Sequence, residues 1–200
     1  MPCRVRRRAR VQIINFFLLV LSVLLDPDIE YLLGASYDAC IYVNIKNRDY
    51  RVIYVQAELE WLVNSIAKRL ERLNYRYTIR QRTKNLWEVR VYSKGFATYL
   101  LGLRSILLNL NLDPHFVAGL YDAEGDKTMR RIRIWNKDIM PLEKARRILQ
   151  EYGIMSTIHL DDKRYMVYCL EVPKMFISKF IQVVPLEHPK ALRSLYEINP

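Results

Sequence analysis

The sequence predicts an α+β protein built from two pseudo-symmetric units, each running αββαββα. Three observations carry that prediction. Leu33-Gly34-Ala35-Ser36-Tyr37-Asp38-Ala39-Cys40-Ile41 matches Val117-Ala118-Gly119-Leu120-Tyr121-Asp122-Ala123-Glu124-Gly125 at an offset of 84 residues, the shared Tyr-Asp-Ala setting the register. Further on, Tyr-Thr-Ile (77–79) faces Ser-Thr-Ile (156–158), and Ser93-Lys94-Gly95-Phe96 faces Pro173-Lys174-Met175-Phe176, at an offset near 80. In both copies, period-two runs alternate with helical spacing in the same order.

Residues 1–27 form an extension. Arg4, Arg6, Arg7, Arg8 and Arg10 precede an apolar run from Val11 to Leu25. That run is shorter than the ~20 residues of a membrane span, no small-x-small cleavage site follows, and Asp26-Pro27-Asp28 reads as a turn and N-cap. An extra element packed on the body behind a basic tail is the reading adopted, with export or anchoring as its competitor.

The first unit spans 28–110. A motif helix (about 28–40) precedes strand 41–46, where Ile41, Val43 and Ile45 alternate with Tyr42, Asn44 and Lys46. The turn Asn47-Arg48-Asp49 leads into strand 51–57. Helix 58–73 carries Leu59, Leu62, Val63, Ile66 and Leu70 at helical spacing. Strands 75–82 and 86–92 flank Thr83-Lys84-Asn85, and a last helix runs from about 95 to 109. A linker near 109–114 ends in Pro114, suited to a first helical turn. The second unit, 111–200, repeats the order: helix 114–125, strands near 127–130 and 131–136, helix 139–151, strands 155–160 and 164–171, helix 174–183.

Two hundred residues, 51% of them apolar, can bury a core. A net charge of +11 and a pI near 9.6 draw the chain to polyanions, nucleic acid first and acidic membrane second. Cys3, Cys40 and Cys169 are too few and too scattered for a zinc set, which points to reduced thiols and an intracellular, cytoplasmic protein. His115, His159 and His188 form no spaced cluster.

The most informative stretch is Phe116 to Gly125, because it sets a carboxylate at the last turn of an apolar, small-residue helix. An acid there costs ~0.3–1 kcal/mol against the partial negative charge of the helix end. Asp122, Glu124 and Asp126 crowd together at that end, so a cation is expected. Gly34, Ala35, Ala39, Ala118, Gly119 and Ala123 permit two helices to approach closely. The segment resembles the LAGLIDADG motif of homing endonucleases and intron maturases, in the single-chain, two-motif, archaeal form.

That resemblance implies saddle-shaped antiparallel sheets, motif helices packed at the centre, and Glu124 as the metal-binding acid for Mg2+ or another divalent cation. The plain alternative is a tight helix pair with an incidental acid. In the 84-residue register Cys40 stands where Glu124 does, a degenerate catalytic position, since a thiol suits Mg2+ poorly. Asp38 lies roughly 200° away on an α-helix and needs a distorted helix end to help. Impaired cleavage, nicking of one strand, and binding without cleavage all stay open. Lys94 and Lys174 fall near where the family keeps a basic residue beside the cleavage site.

Alternation sets Arg76, Thr78, Arg80 and Arg82 on one face, and Arg131, Arg133 and Trp135 on another. A basic sheet of this kind can follow a major groove. From the resemblance, Tyr42, Asn44, Lys46, Arg51 and Arg90 join that surface. The implied partner is double-stranded DNA, with intron RNA as the alternative and no membrane, and the two-motif chain is expected to act as a monomer.

Overall fold

A computed structural model describes residues 25–126 and 131–198. The N-terminal basic and apolar run, and the strand expected near 127–130, fall wholly or almost wholly outside them. Helix α1 (Pro27–Ala35) begins at the Asp26 cap, whose carboxylate accepts from Asp28 N at 2.8 Å. A 3-10 turn, Ser36–Asp38, follows. Strands β1 (Cys40–Asn44) and β2 (Asp49–Gln56) form a hairpin. Helix α2 comprises Leu59–Trp61, a π-helical run Leu62–Ala67 and Lys68–Arg72. Then come β3 (Tyr77–Thr83), β4 (Leu86–Val91) and α3 (Lys94–Ser105).

The second unit opens with α4 (Pro114–Glu124), capped by Asp113 with Pro114 in the first turn, so both motif helices start with Asp-Pro. It continues with β5 (Ile132–Asn136), α5 (Ile139–Glu151), β6 (Thr157–Asp162), β7 (Val167–Val172) and α6 (Ile177–Val183). A further helix, α7 (Pro189–Ile198), has no counterpart in the expected element order.

The first sheet runs β1-β2-β4-β3 and the second β5-β7-β6, all pairs antiparallel. Facing the core are Val52, Tyr54, Val89 and Val91 in one sheet and Ile132, Ile134, Leu170 and Val172 in the other. Between the sheets lie α1 and α4. Tyr31, Leu32, Leu33, Phe116, Val117 and Leu120 are all fully buried, each large apolar side chain contributing ~1.5–3 kcal/mol.

These two helices touch through glycine. A Cβ on Gly34 would sit 2.1 Å from the Phe116 carbonyl oxygen, and one on Gly119 would sit 2.0 Å from that of Tyr31. The backbones pack directly on one another.

A buried polar network ties the C-terminal segment to this centre. Tyr31 Oη accepts from Trp61 Nε1 (2.8 Å) and donates to Asp122 Oδ2 (2.6 Å), which also accepts from Glu187 N (2.8 Å). Arg69 grips Glu187 with two nitrogens at 2.6 and 2.7 Å, holding its carboxyl below the usual range against the opposing pull of burial.

Candidate active site

The expected motif helix over 28–40 stops being α-helical at Ala35, and this changes which residue reaches the site. The glycine contacts relate the helices by 85 residues: 31 with 116, 34 with 119, 35 with 120. The strands give a different offset. Tyr54 opposite Val89 and Ile134 opposite Leu170 occupy equivalent positions. Ile134 bridges Gly125, and the Cys40–Ile53 register, carried back one residue, sets Ala39 opposite Tyr54. Ala39 therefore answers to Gly125, and Asp38 to Glu124, at an offset of 86.

The first copy is thus one residue shorter between helix and sheet, and the change of winding absorbs the difference. Three 3-10 residues at ~2.0 Å and four α residues at ~1.5 Å both advance ~6 Å. Ser36-Tyr37-Asp38 does the work of Tyr121-Asp122-Ala123-Glu124. Cys40 is not at the helix end: it opens β1 opposite Ile53, exposed. The 84-residue register, which rested on the shared Tyr-Asp-Ala, is corrected accordingly.

Two side chains not anticipated from the sequence stand beside these acids. Asn136 Nδ2 donates to Glu124 Oε1 at 3.1 Å, and Gln56 Nε2 donates to the Ala123 carbonyl at 3.3 Å, reaching across to the other unit's helix. They occupy the same strand position, Gln56 ending β2 and Asn136 ending β5, which a sequence offset of 80 could have flagged. The 3-10 turn is held by Arg104, whose guanidinium donates to Ser36 O and to Ser36 Oγ (3.1 Å) and stacks 4.3 Å from the Tyr37 ring centroid. A cation does cap a motif-helix end, though at the first helix.

The donor set fits a divalent cation of the hard, oxygen-seeking kind. Asp38 and Glu124 supply carboxylates and two helix C-termini supply a negative field, while the amide oxygens of Gln56 and Asn136 accept from Ala57 N and Asp138 N. Among the described residues no three His, Cys, Asp or Glu side chains converge as a metal cage, so other coordination positions would fall to water and phosphate oxygens.

Lys94 and Lys174 are elsewhere. Lys94 opens α3 with its Nζ 5.7 Å from the Tyr50 ring centroid, and Tyr50 lies six residues, ~20 Å along β2, from Gln56. An open pocket of about 520 Å³ lies at that far end, lined by Arg48, Tyr50, Tyr92 and Lys94 among others. Lys174 follows β7, whose Val172 pairs with Ile132, ~13 Å along β5 from Asn136. Neither lysine stands beside the acids.

The strand register puts Tyr42 opposite Arg51, Thr78 opposite Arg90 and Arg80 opposite Glu88, all on the face away from the helices, with Asn44 beside Asp49. Arg76 precedes β3, Arg82 sits at the irregularity between Gln81 and Thr83, and Lys46 is in the hairpin turn. In the second sheet Arg133 and Trp135 share that outer face, and Arg131 precedes β5. Carboxylates lie among these residues: Asp49 meets Arg51 at 2.6 Å, Glu171 meets Arg133 at 3.3 Å, and Asp161 accepts from Trp135 Nε1 at 3.0 Å.

Two glycine-packed motif helices ending at a pair of acids, with an antiparallel sheet on either side, define the LAGLIDADG class. The chain belongs to the LAGLIDADG homing-endonuclease family, and residues 111–185 match its LAGLIDADG-like domain. It is similar to homing endonuclease I-DmoI of Desulfurococcus mucosus, with 34% identity over 147 residues, 70% of this chain and 76% of that protein. An uncharacterized protein of Methanocaldococcus jannaschii is 28% identical over 145 residues, 70% of this chain and 54% of that one. The crystal structure of I-DmoI with DNA and Mn matches at a TM-score of 0.69 and 32% identity, covering 81% of this chain and 98% of that one. The complex with DNA and Ca matches at 0.70 and 31% identity, covering 85% and 97%. Among the described residues no helix is long and apolar enough to cross a membrane.

Proposed function

We propose that the chain is a sequence-specific DNA endonuclease that hydrolyses phosphodiester bonds with a divalent cation, Mg2+ in the cell, and acts inside the cell as a monomer. Units 28–110 and 111–200 each serve one half of the target. Similarity to I-DmoI, crystallised with DNA and with Mn, Ca or, in one variant, Mg, supports the class. The observation that carries cleavage is the 3-10 turn Ser36–Asp38, which gives the first unit an acid at the level of Glu124.

Asp38 and Glu124 are the two acids of the reaction, one per strand of the duplex. Their carboxylates would hold the divalent cation, which would supply acidification of a water and charge neutralisation at the leaving oxygen. Asn136 orients the Glu124 carboxylate through its amide N–H. Gln56 ties the end of β2 to the end of α4 by donating to the Ala123 carbonyl. Arg104 keeps the 3-10 turn wound.

The position of Cys40 in β1, opposite Ile53, supports cleavage over a binder without cleavage. Duplex DNA rather than intron RNA is the proposed partner. The test is a supercoiled plasmid carrying the joined flanks of the gene, incubated with protein and Mg2+. Wild type and Cys40→Ala should linearise it, while Glu124→Gln and Asp38→Asn should not. Linearisation by Asp38→Asn together with loss in Cys40→Ala would restore the discarded register.

A further inference from the structure

Glu88 is a carboxylate on the outer, DNA-facing side of the first sheet, yet its side chain is only 1% exposed. It cannot reach a base. A buried carboxylate is costly unless fully paired, and this one is paired twice: Arg80 contacts it through Nε, and Arg90 contacts it through Nε and through Nη2 at 3.3 Å. The two arginines differ. Arg90 is 15% exposed at its side chain and lies down against the sheet, whereas Arg80 is 54% exposed.

Because Glu88 holds Arg80 by Nε alone, the two terminal nitrogens of Arg80 point away from the bond as a fork. That fork matches the O6 and N7 acceptors of guanine in the major groove. An arginine on a free tether meets phosphate and base alike. One anchored at Nε by a buried carboxylate loses little freedom on binding and has a fixed aim. Arg90 completes the arrangement by neutralising the carboxylate, so the triad keeps a net positive charge.

We propose that Glu88 is the positioning residue that sets base specificity in the first half of the target, with Arg80 as the guanine reader it aims. Arg76 and Arg82 have no carboxylate partner among the described residues and serve phosphates instead. Among the described residues the second unit has no such triad: Cys169 stands at the position of Glu88 and His159 at that of Arg80, so the two halves read unlike sequences. This rests on the proposed DNA-reading function.

The test selects bound duplexes from a randomised pool without divalent metal, so that binding is read apart from cleavage, using wild type, Glu88→Gln, Arg80→Lys and Arg82→Ala. Wild type should show a strong guanine preference at one base pair of the first half-site. Glu88→Gln and Arg80→Lys should each weaken that preference about tenfold or more, and Glu88→Gln, one charge more positive, should bind random DNA as tightly or more tightly. Arg82→Ala should weaken all sequences alike and lower the salt slope by ~0.9. A merely structural Glu88 would instead lower specific and random binding together. Survival of the guanine preference in either Glu88→Gln or Arg80→Lys overturns the assignment while leaving the endonuclease reading intact. Absence of any preference in wild type overturns both.

Discussion

Gly119→Ala offers the sharpest test of the helix pair. A Cβ on Gly119 would lie 2.0 Å from the Tyr31 carbonyl oxygen, 2.8 Å from its carbon and 3.0 Å from Ala35 N. All three are backbone atoms, so no rotamer change relieves the clash. The closest contact must grow from 2.0 Å to at least 3.0 Å, which separates α1 from α4 by ~1 Å across an interface of fully buried side chains. A gap of that size forfeits a quarter to a half of each dispersion contact, so the cost should reach about 3 kcal/mol or more, a large part of a typical 5–15 kcal/mol total. Urea unfolding should show the midpoint fall at unchanged slope. Gly102→Ala is the internal control: it lies on the exposed face of α3 with nothing within 4 Å of its added Cβ, and should gain ~0.5–1 kcal/mol. A loss below ~1 kcal/mol for Gly119→Ala, or equal losses for both variants, would refute direct backbone packing.

Four other substitutions probe further parts of the molecule. Glu30 is fully buried and accepts from Asp113 N at 2.8 Å; burial, then the neighbouring Asp113, raises its carboxyl from 4.5 to about 8. Its contribution is therefore complete below pH 4.5 and lost as pH rises through about 8. At ~1.4 kcal/mol per unit of displacement the fall amounts to a few kcal/mol, and Glu30→Gln should flatten the stability profile over that window in urea melts. Tyr31→Phe removes the hydroxyl joining Trp61 to Asp122 and should cost ~1–3 kcal/mol by leaving buried polar groups short of a partner; a neutral midpoint would show that the network contributes nothing. Lys94→Met and Lys174→Met should leave plasmid cleavage within a few-fold of wild type, since both lysines stand far from the acids, and a hundredfold loss in either would reinstate a catalytic lysine.

Much of the element order was legible because periodicity survives drift: Ile41-Val43-Ile45 reads as a strand and Leu59 through Leu70 as a helix. Helix 139–151 falls where its spacing predicted it. The motif helix did not, because a 3-10 turn carries no mark in composition, and Ser36-Tyr37-Asp38 pairs by letter with the wrong residues of the second copy. Gln56 and Asn136 were invisible as isolated polar residues at strand ends and became meaningful only beside α4. Lys94 and Lys174 were carried over from family pattern, which holds no information on distance along a strand. The last helix, α7, escaped because no repeat announces it.

The shortened turn after α1 has a consequence for how such chains are compared. Losing one residue from an α-helix ordinarily swings everything after it by about 100°, enough to carry a side chain to another face. Here the loss is cancelled within a single turn of backbone by a tighter coil, so the defect leaves no trace beyond Ala39. Any comparison that counts columns will score Asp38 as missing and Cys40 as its replacement. A comparison that measures height along the helix axis and pairing in the sheet finds the carboxylate in register, and chains set aside as decayed on the strength of one mismatched letter merit that second measurement.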